Sequence, residues 1–191
     1  MTRIVRRLAQ WVLRCVDIVY HWRHKSEPVG SMLLISPVIH DGPDKMFEDG
    51  TAVRNGDLIG AIHFDNRVTS KLDSRSSRAA ALHFMKLLIG SLVVLAHKSV
   101  DDPGYARYPA YCGITWLPPH GEKLGFETEP LPEGDRKKFL MRFFRILVWV
   151  IAPAAETRES ANLEPIVFWM TRNKLQELYL DNGAASRKRQ A

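Results

Sequence analysis

His63 and Asp65 are the residues of this chain whose types and spacing best suit chemistry. They close the stretch Gly56-Asp57-Leu58-Ile59-Gly60-Ala61-Ile62-His63-Phe64-Asp65-Asn66, which reads as one short strand. Side chains alternate along a strand, so His63 and Asp65 share one face while Ile62 and Phe64 take the other. An imidazole oriented by a carboxylate keeps one tautomer and titrates near neutral pH, as a general base must. Asn66 adds an amide, and the cluster can hold a polar small ligand. The alternative is structural: the three residues cap a strand end and bond to nearby backbone groups. Ser91, Cys112 and Thr115 qualify as nucleophiles by type only. In the enzyme reading, Thr115 or His120 faces His63 across a cleft.

His63, Asp65 and His120 also match the spacing of a two-histidine, one-carboxylate metal site. Such a site needs a β-rich barrel, whereas a long helix is expected between these ligands, so no metal and no cofactor is expected. The chain has no phosphate-binding loop, no G-x-G-x-x-G, no G-x-S-x-G and no Cys-x-x-Cys. Common nucleotide and hydrolase machinery is thereby excluded.

The elements that must position these residues follow from periodicity. Residues 3–24 form an amphipathic helix, with Ile4, Leu8, Trp11, Val12, Cys15 and Val19 on one stripe. Strands are expected at 31–39, with Pro37 drawing that one to an edge, and at 58–65, 110–117, 124–131 and 165–170. Helices are expected from Ser76 or Ser77 to Lys98, at 135–151 and at 172–180. The first of these is apolar enough to be the central buried helix, and Gly90 and Ser91 suggest close approach by another element. The result is an α+β fold: a single small mixed sheet covered by helices, preceded by the N-terminal helix. Residues 1–25 form that basic helix, 26–182 the domain, and 183–191 a basic disordered tail.

Charge is segregated. Arg3, Arg6, Arg7, Arg14, Arg23 and Lys25 against Asp17 leave residues 1–25 at +5, and Arg187, Lys188 and Arg189 add +3, so the body carries −2 of the total +6. A nearly neutral body without a basic, aromatic-studded face argues against nucleic acid. The helix 3–24 either packs on the domain or meets an anionic membrane surface or a protein partner. Two unpaired cysteines suggest a reducing compartment. The longest unbroken apolar run, Ile146 to Ala155, is well short of the roughly 20 residues of a span. The expected location is cytoplasmic or peripheral on the inner membrane.

Several stretches together resemble the small YkoP-like domain of bacteria, which occurs alone or joined to polysaccharide deacetylase domains. They are Asp49-Gly50-Thr51, the strand 56–66, Ser91-Leu92-Val93-Val94-Leu95-Ala96, Gly113-Ile114-Thr115-Trp116-Leu117 and Lys123-Leu124-Gly125-Phe126-Glu127. The helix Trp11 to Glu27 and the strand Val167-Phe168-Trp169-Met170 also fit. Ala61 stands where the family pattern leads us to expect an acidic residue. The resemblance implies a bacterial origin and an accessory role in cell-envelope polysaccharide or lipid metabolism. It transfers no reaction and no catalytic residue. The order of residues 58–65, 77–98, 110–117 and 120–131 is also similar to the second half of acetyltransferases of the Gcn5-related type, which makes acyl transfer the alternative. The loop Asn66 to Ser77 lacks the glycine-rich pattern that binds the cofactor pyrophosphate in that family.

Overall fold

The structure, a computed structural model, describes residues 23–65, 68, 77–115, 121–151 and 164–188. The helix expected at 3–24 lies outside these residues except for Arg23 and His24, as do Asn66, Trp116, His120 and the loop 152–163.

The fold is α+β. Six strands form one mixed sheet in the order β1-β2-β5-β6-β8-β7, where β1 is Glu27–Val29, β2 Leu33–Ile39, β5 Leu58–Phe64, β6 Ala110–Thr115, β7 Glu127–Pro130 and β8 Ile166–Thr171. Every neighbouring pair is antiparallel except β5 and β6. Those two are joined by the long helix α1, Ser77–Asp101, and the short helix α2, Pro103–Ala106. Parallel neighbours require such a crossover. Asp102 separates the two helices: its carboxylate accepts the Gly104 N–H at 2.8 Å, and Pro103 occupies the first turn of α2. A small hairpin, β3 (Lys45–Met46) and β4 (Ala52–Val53), sits apart from the sheet order. Helix α3 is Asp135–Ile151, and α4 is Arg172–Lys188.

Two cores lie on opposite faces of the sheet. On one, Leu33, Ile35, Ile62, Tyr111, Phe168 and Met170 belong to the same buried cluster as Leu88, Leu92 and Leu95 of α1 and Leu175 and Tyr179 of α4. On the other, Ile59, Ala110 and Trp169 cluster with Phe47 and Val53 of the hairpin. Alternation along each strand accounts for the division.

Four expectations change. Pro37 does not mark an edge strand, because β2 lies between β1 and β5. The β2–β5 ladder bonds at even positions of β2, as Asp65 N–H to Met32 O shows, so the Pro37 nitrogen points to the other side. There β1 reaches only Ile35, so proline removes no ladder bond. Helix α1 is not central: one side is buried, whereas Leu82, Ile89, Val94 and Val100 are exposed. Its segment Ala81–Asp101 is also long and apolar enough to cross a membrane, although Lys86 breaks the apolar run. Helix α4 continues to Lys188, past Gly183, where the sequence predicts a disordered tail.

Gly30 and Ser91 show why α1 can approach the sheet edge. Gly30 has φ +63°, and a Cβ there would lie 2.6 Å from Ser91 Cα. Only glycine accepts both that conformation and that contact. Ser91 Oγ in turn accepts the N–H groups of Ser31 and Met32 at 3.1 and 3.3 Å. The expected close approach is therefore made by Ser91. Gly90 faces open space.

Candidate functional site

His63 sits on β5 opposite Leu34 of β2. The ladder runs one step past the strand, with the Asp65 N–H donating to Met32 O at 2.8 Å. Alternation therefore holds through Asp65, and Ile59, Ala61, His63 and Asp65 share the face that bears the hairpin. Nε2 of His63 is shielded from solvent. Asp65 O accepts the Val68 N–H at 2.9 Å, which turns the chain off the sheet. Asn66 and His120 belong to the undescribed residues.

Thr115 is not where the enzyme reading needs it. In β6 it pairs with Ile166 and falls on the same face as Tyr111 and Gly113, opposite to His63. The thickness of the sheet separates the two side chains. The other nucleophile candidates are also structural. Ser91 is buried with its oxygen engaged by two backbone donors. Burial pushes the Cys112 thiol up to about 12, with Arg136 opposing and Glu129 reinforcing the shift, so the thiolate is scarce at neutral pH.

The meeting of β5 and β6 is the most informative part of the backbone. The parallel ladder comprises only Gly60↔Tyr111 and Ala61↔Cys112. At the next step Gly113 lies so close to β5 that a Cβ would be 2.8 Å from Ile62 O and 2.3 Å from Phe168 Cζ. Beyond it the strands share no ladder: β5 continues with β2 to Phe64↔Leu33, and β6 with β8 to Thr115↔Ile166. The carboxyl ends of two parallel strands thus part beside His63, Phe64 and Asp65. Ligands in crossover-linked sheets bind outside such ends. On the helix-covered face the floor is aromatic, with Phe168 5.1 Å from Phe126 and 6.4 Å from Phe64 between ring centroids.

A second polar group, which the sequence reading missed, surrounds Trp169. Glu129 accepts the indole N–H at 2.7 Å and pairs with Lys45 at 2.7 Å. The Lys45 ammonium lies 5.2 Å from the Phe47 ring and 5.7 Å from Trp169. His40 packs edge-on against Trp169 and bonds to Pro43 O. These groups satisfy one another and pin the hairpin to the sheet. Asp49 does the same at the hairpin tip: its carboxylate accepts from Thr171 Oγ1 at 2.5 Å and Thr51 N–H at 2.8 Å. Burial raises the Asp49 pKa, but the Thr171 and Thr51 hydrogen bonds and the Lys174 charge outweigh it, so the net shift is downward. Thr171 also accepts the Lys174 N–H at 3.1 Å and so caps α4. Asp49-Gly50-Thr51 is therefore a clamp, with Gly50 at φ +81°. Glycine between two hydrogen-bonding residues was the sequence signal available for it.

Among the described residues no cluster of three metal-ligating side chains occurs. At the opposite end of β8, the buried Lys137 of α3 bridges Glu133 at 2.6 Å and Glu164 at 2.5 Å, and these bonds lead the causes that raise its pKa. On the exposed side of α3, Phe139 is 67% accessible and stacks on Phe143, beside the exposed Arg136, Lys138 and Arg142.

No curated protein and no solved structure matches the chain. The strand Leu58–Phe64, the Asp-Gly-Thr clamp and the α1 segment 91–96, now seen to belong to one sheet, its hairpin and its crossover helix, fall within residues 4–179, over which the model of the YkoP domain matches. The chain belongs to the YkoP domain family.

Proposed function

We propose that this chain is a binding domain that takes a polar ligand at the parted ends of β5 and β6, as an accessory domain in bacterial cell-envelope polysaccharide or lipid metabolism. One observation carries the ligand site: the parallel ladder stops at Ala61↔Cys112, next to the strand end that bears His63 and Asp65. An imidazole and a carboxylate there suit hydroxyl and amide groups of a sugar or headgroup. The envelope setting follows from the resemblance to YkoP-like domains joined to deacetylases. Contact with an anionic membrane is supported by the basic segment 3–24 and by the exposed Phe139 of α3 with its flanking Arg136, Lys138 and Arg142.

Acyl transfer is the second reading, favoured by the β5–α1–β6 order and the parting of its two strands. An extended thioester arm can bond to strand backbone that has lost its ladder partner. Neither Thr115 nor Cys112 serves this reading as a nucleophile, so transfer would be direct, with His63 as base.

A thermal-shift series on wild type and His63→Ala separates the readings, with acyl-CoAs, nucleotide sugars, amino sugars and divalent metals as probes. A ligand at about 100 times its dissociation constant adds about 2.7 kcal/mol, which raises the melting temperature by about 5–10 °C in a domain of this size. Stabilisation by sugars that His63→Ala removes supports the binding domain. The same pattern with acyl-CoAs moves the assignment to acyl transfer. Equal melting with and without every probe overturns both.

A further inference from the structure

The outer face of α1 carries Leu82, Ile89, Val94 and Val100 at 66%, 41%, 39% and 54% exposure. We infer that this face pairs with a second copy of the chain, helix against helix and antiparallel, about a two-fold axis between Val93 and Val94.

The pattern of the stripe leads to that occupant. Lys86, Gly90, Val93 and His97, and beside them Gly90, Val94, His97 and Asp101, recur at spacings of four, three and four and so form one line along the helix, in which Val93 is half-buried against the chain's own core and the others are exposed. Leu82, Ile89 and Val100 flank the line on one side. A bilayer does not suit this face, because Lys86, His97 and Asp101 occupy its middle line and all three are exposed. Those same residues are arranged symmetrically. Positions equidistant from the Val93–Val94 bond face each other when two copies run antiparallel. Val93 then meets Val94, His97 meets Gly90, and Lys86 meets Asp101.

Charge complementarity selects this arrangement. Within one chain Lys86 and Asp101 are four helical turns apart, about 22 Å, too far to interact. An antiparallel second copy brings each to its opposite, with an ion pair on either side of the axis. Gly90 completes the fit: a Cβ there meets nothing within 4 Å, so its surface is open to the His97 ring of the other copy. Small residues at a crossing point let helix backbones approach closely. The interface is isologous, as two-fold dimers require. The opposite side of α1, with Leu88, Leu92 and Leu95, stays on the sheet, so pairing asks for no refolding.

Sedimentation velocity on the full chain tests this. Wild type is expected to sediment as a dimer of the 21.8 kDa chain. Lys86→Asp or Asp101→Lys places like charges opposite each other and should raise the dissociation constant more than tenfold, about 1.4 kcal/mol. The double variant Lys86→Asp/Asp101→Lys should recover the dimer, which a general loss of folding cannot mimic. Gly90→Leu should also dissociate it while circular dichroism stays unchanged. A wild-type monomer up to about 0.5 mM, weaker than any functional self-association expected at cellular concentration, overturns the inference. So does a dimer that ignores Lys86→Asp and Asp101→Lys. Vesicle binding abolished by Val94→Asp would assign the face to lipid instead.

Discussion

Gly113→Ala tests whether β5 and β6 touch as tightly as the structure has them before they part. The added methyl would lie 2.3 and 2.7 Å from Phe168 Cζ and Cε1 and 2.8 Å from Ile62 O, where ordinary contact begins near 3.4 Å. The overlap is therefore about 1 Å against the ring. Phe168 is buried between Phe126 and Phe64 and has little room to retreat. Ile62 O is backbone and cannot rotate away. Overpacking of this kind costs about 1–3 kcal/mol, and the backbone contact places this case at the upper end. Loss of glycine entropy in the unfolded chain returns about 0.4–1 kcal/mol, so the net expectation is a loss of about 2 kcal/mol. Gly90→Ala, made in an Asp101→Lys background where the inferred pairing is already lost, is the control. It makes the same chemical change in the interior of α1 with nothing within 4 Å, and should stabilise by about 0.5–1 kcal/mol. Urea unfolding followed by circular dichroism at one fixed protein concentration reads both, with the m-value unchanged. Phe168→Leu in the Gly113→Ala background should recover part of the loss in a double-mutant cycle. If Gly113→Ala unfolds within about 0.5 kcal/mol of wild type, the strands are not in contact there and the site at their ends loses its geometry.

Asp49→Asn should destabilise the fold at neutral pH. The Asp49 carboxyl lies below its usual 3.8 in the folded state, so its contribution is present above that value and disappears as pH falls through the folded pKa. The gap between wild type and variant should close in acid; because Asp49 is exposed, solvent screening keeps the gap small, and an equal gap at pH 2 and pH 7 would refute the clamp. Cys112 should resist alkylation in the native protein at pH 8 and react at once in urea, measured in a Cys15→Ser background; fast native labelling would contradict burial as the cause of its raised pKa. Because that thiol ionises more readily when unfolded, stability should fall as pH rises past 9. In co-sedimentation with anionic vesicles, Phe139→Ser and Arg142→Glu should each weaken binding severalfold, since a basic side chain near the surface contributes about 1 kcal/mol; wild-type pelleting by both variants would remove α3 from the membrane contact.

Local pattern made much of this fold readable. The α3 bounds, 135–151, follow from a clear apolar period, and the strand 58–65 from alternation between two turn signals. The hairpin was illegible because strands of two residues, Lys45–Met46 and Ala52–Val53, have no period to detect. β1 hid inside a stretch that reads as a breaker, Glu27-Pro28-Val29-Gly30, since only its pairing with β2 makes it a strand. Alternation places His63 and Asp65 together, because both lie on one strand. It cannot relate Thr115 to them, because the relative facing of two strands depends on register, and register is set by long-range pairing. The same limit applies to α1. Its residues are apolar on both sides, so composition makes it a helix that wants burial without saying which side finds the sheet. Packing of Leu88, Leu92 and Leu95 settles that, and leaves Ile89, Val94 and Val100 outside. Periodicity is a property of neighbours in the chain, whereas faces, registers and parted strands arise between segments dozens of residues apart, where only the folded packing decides.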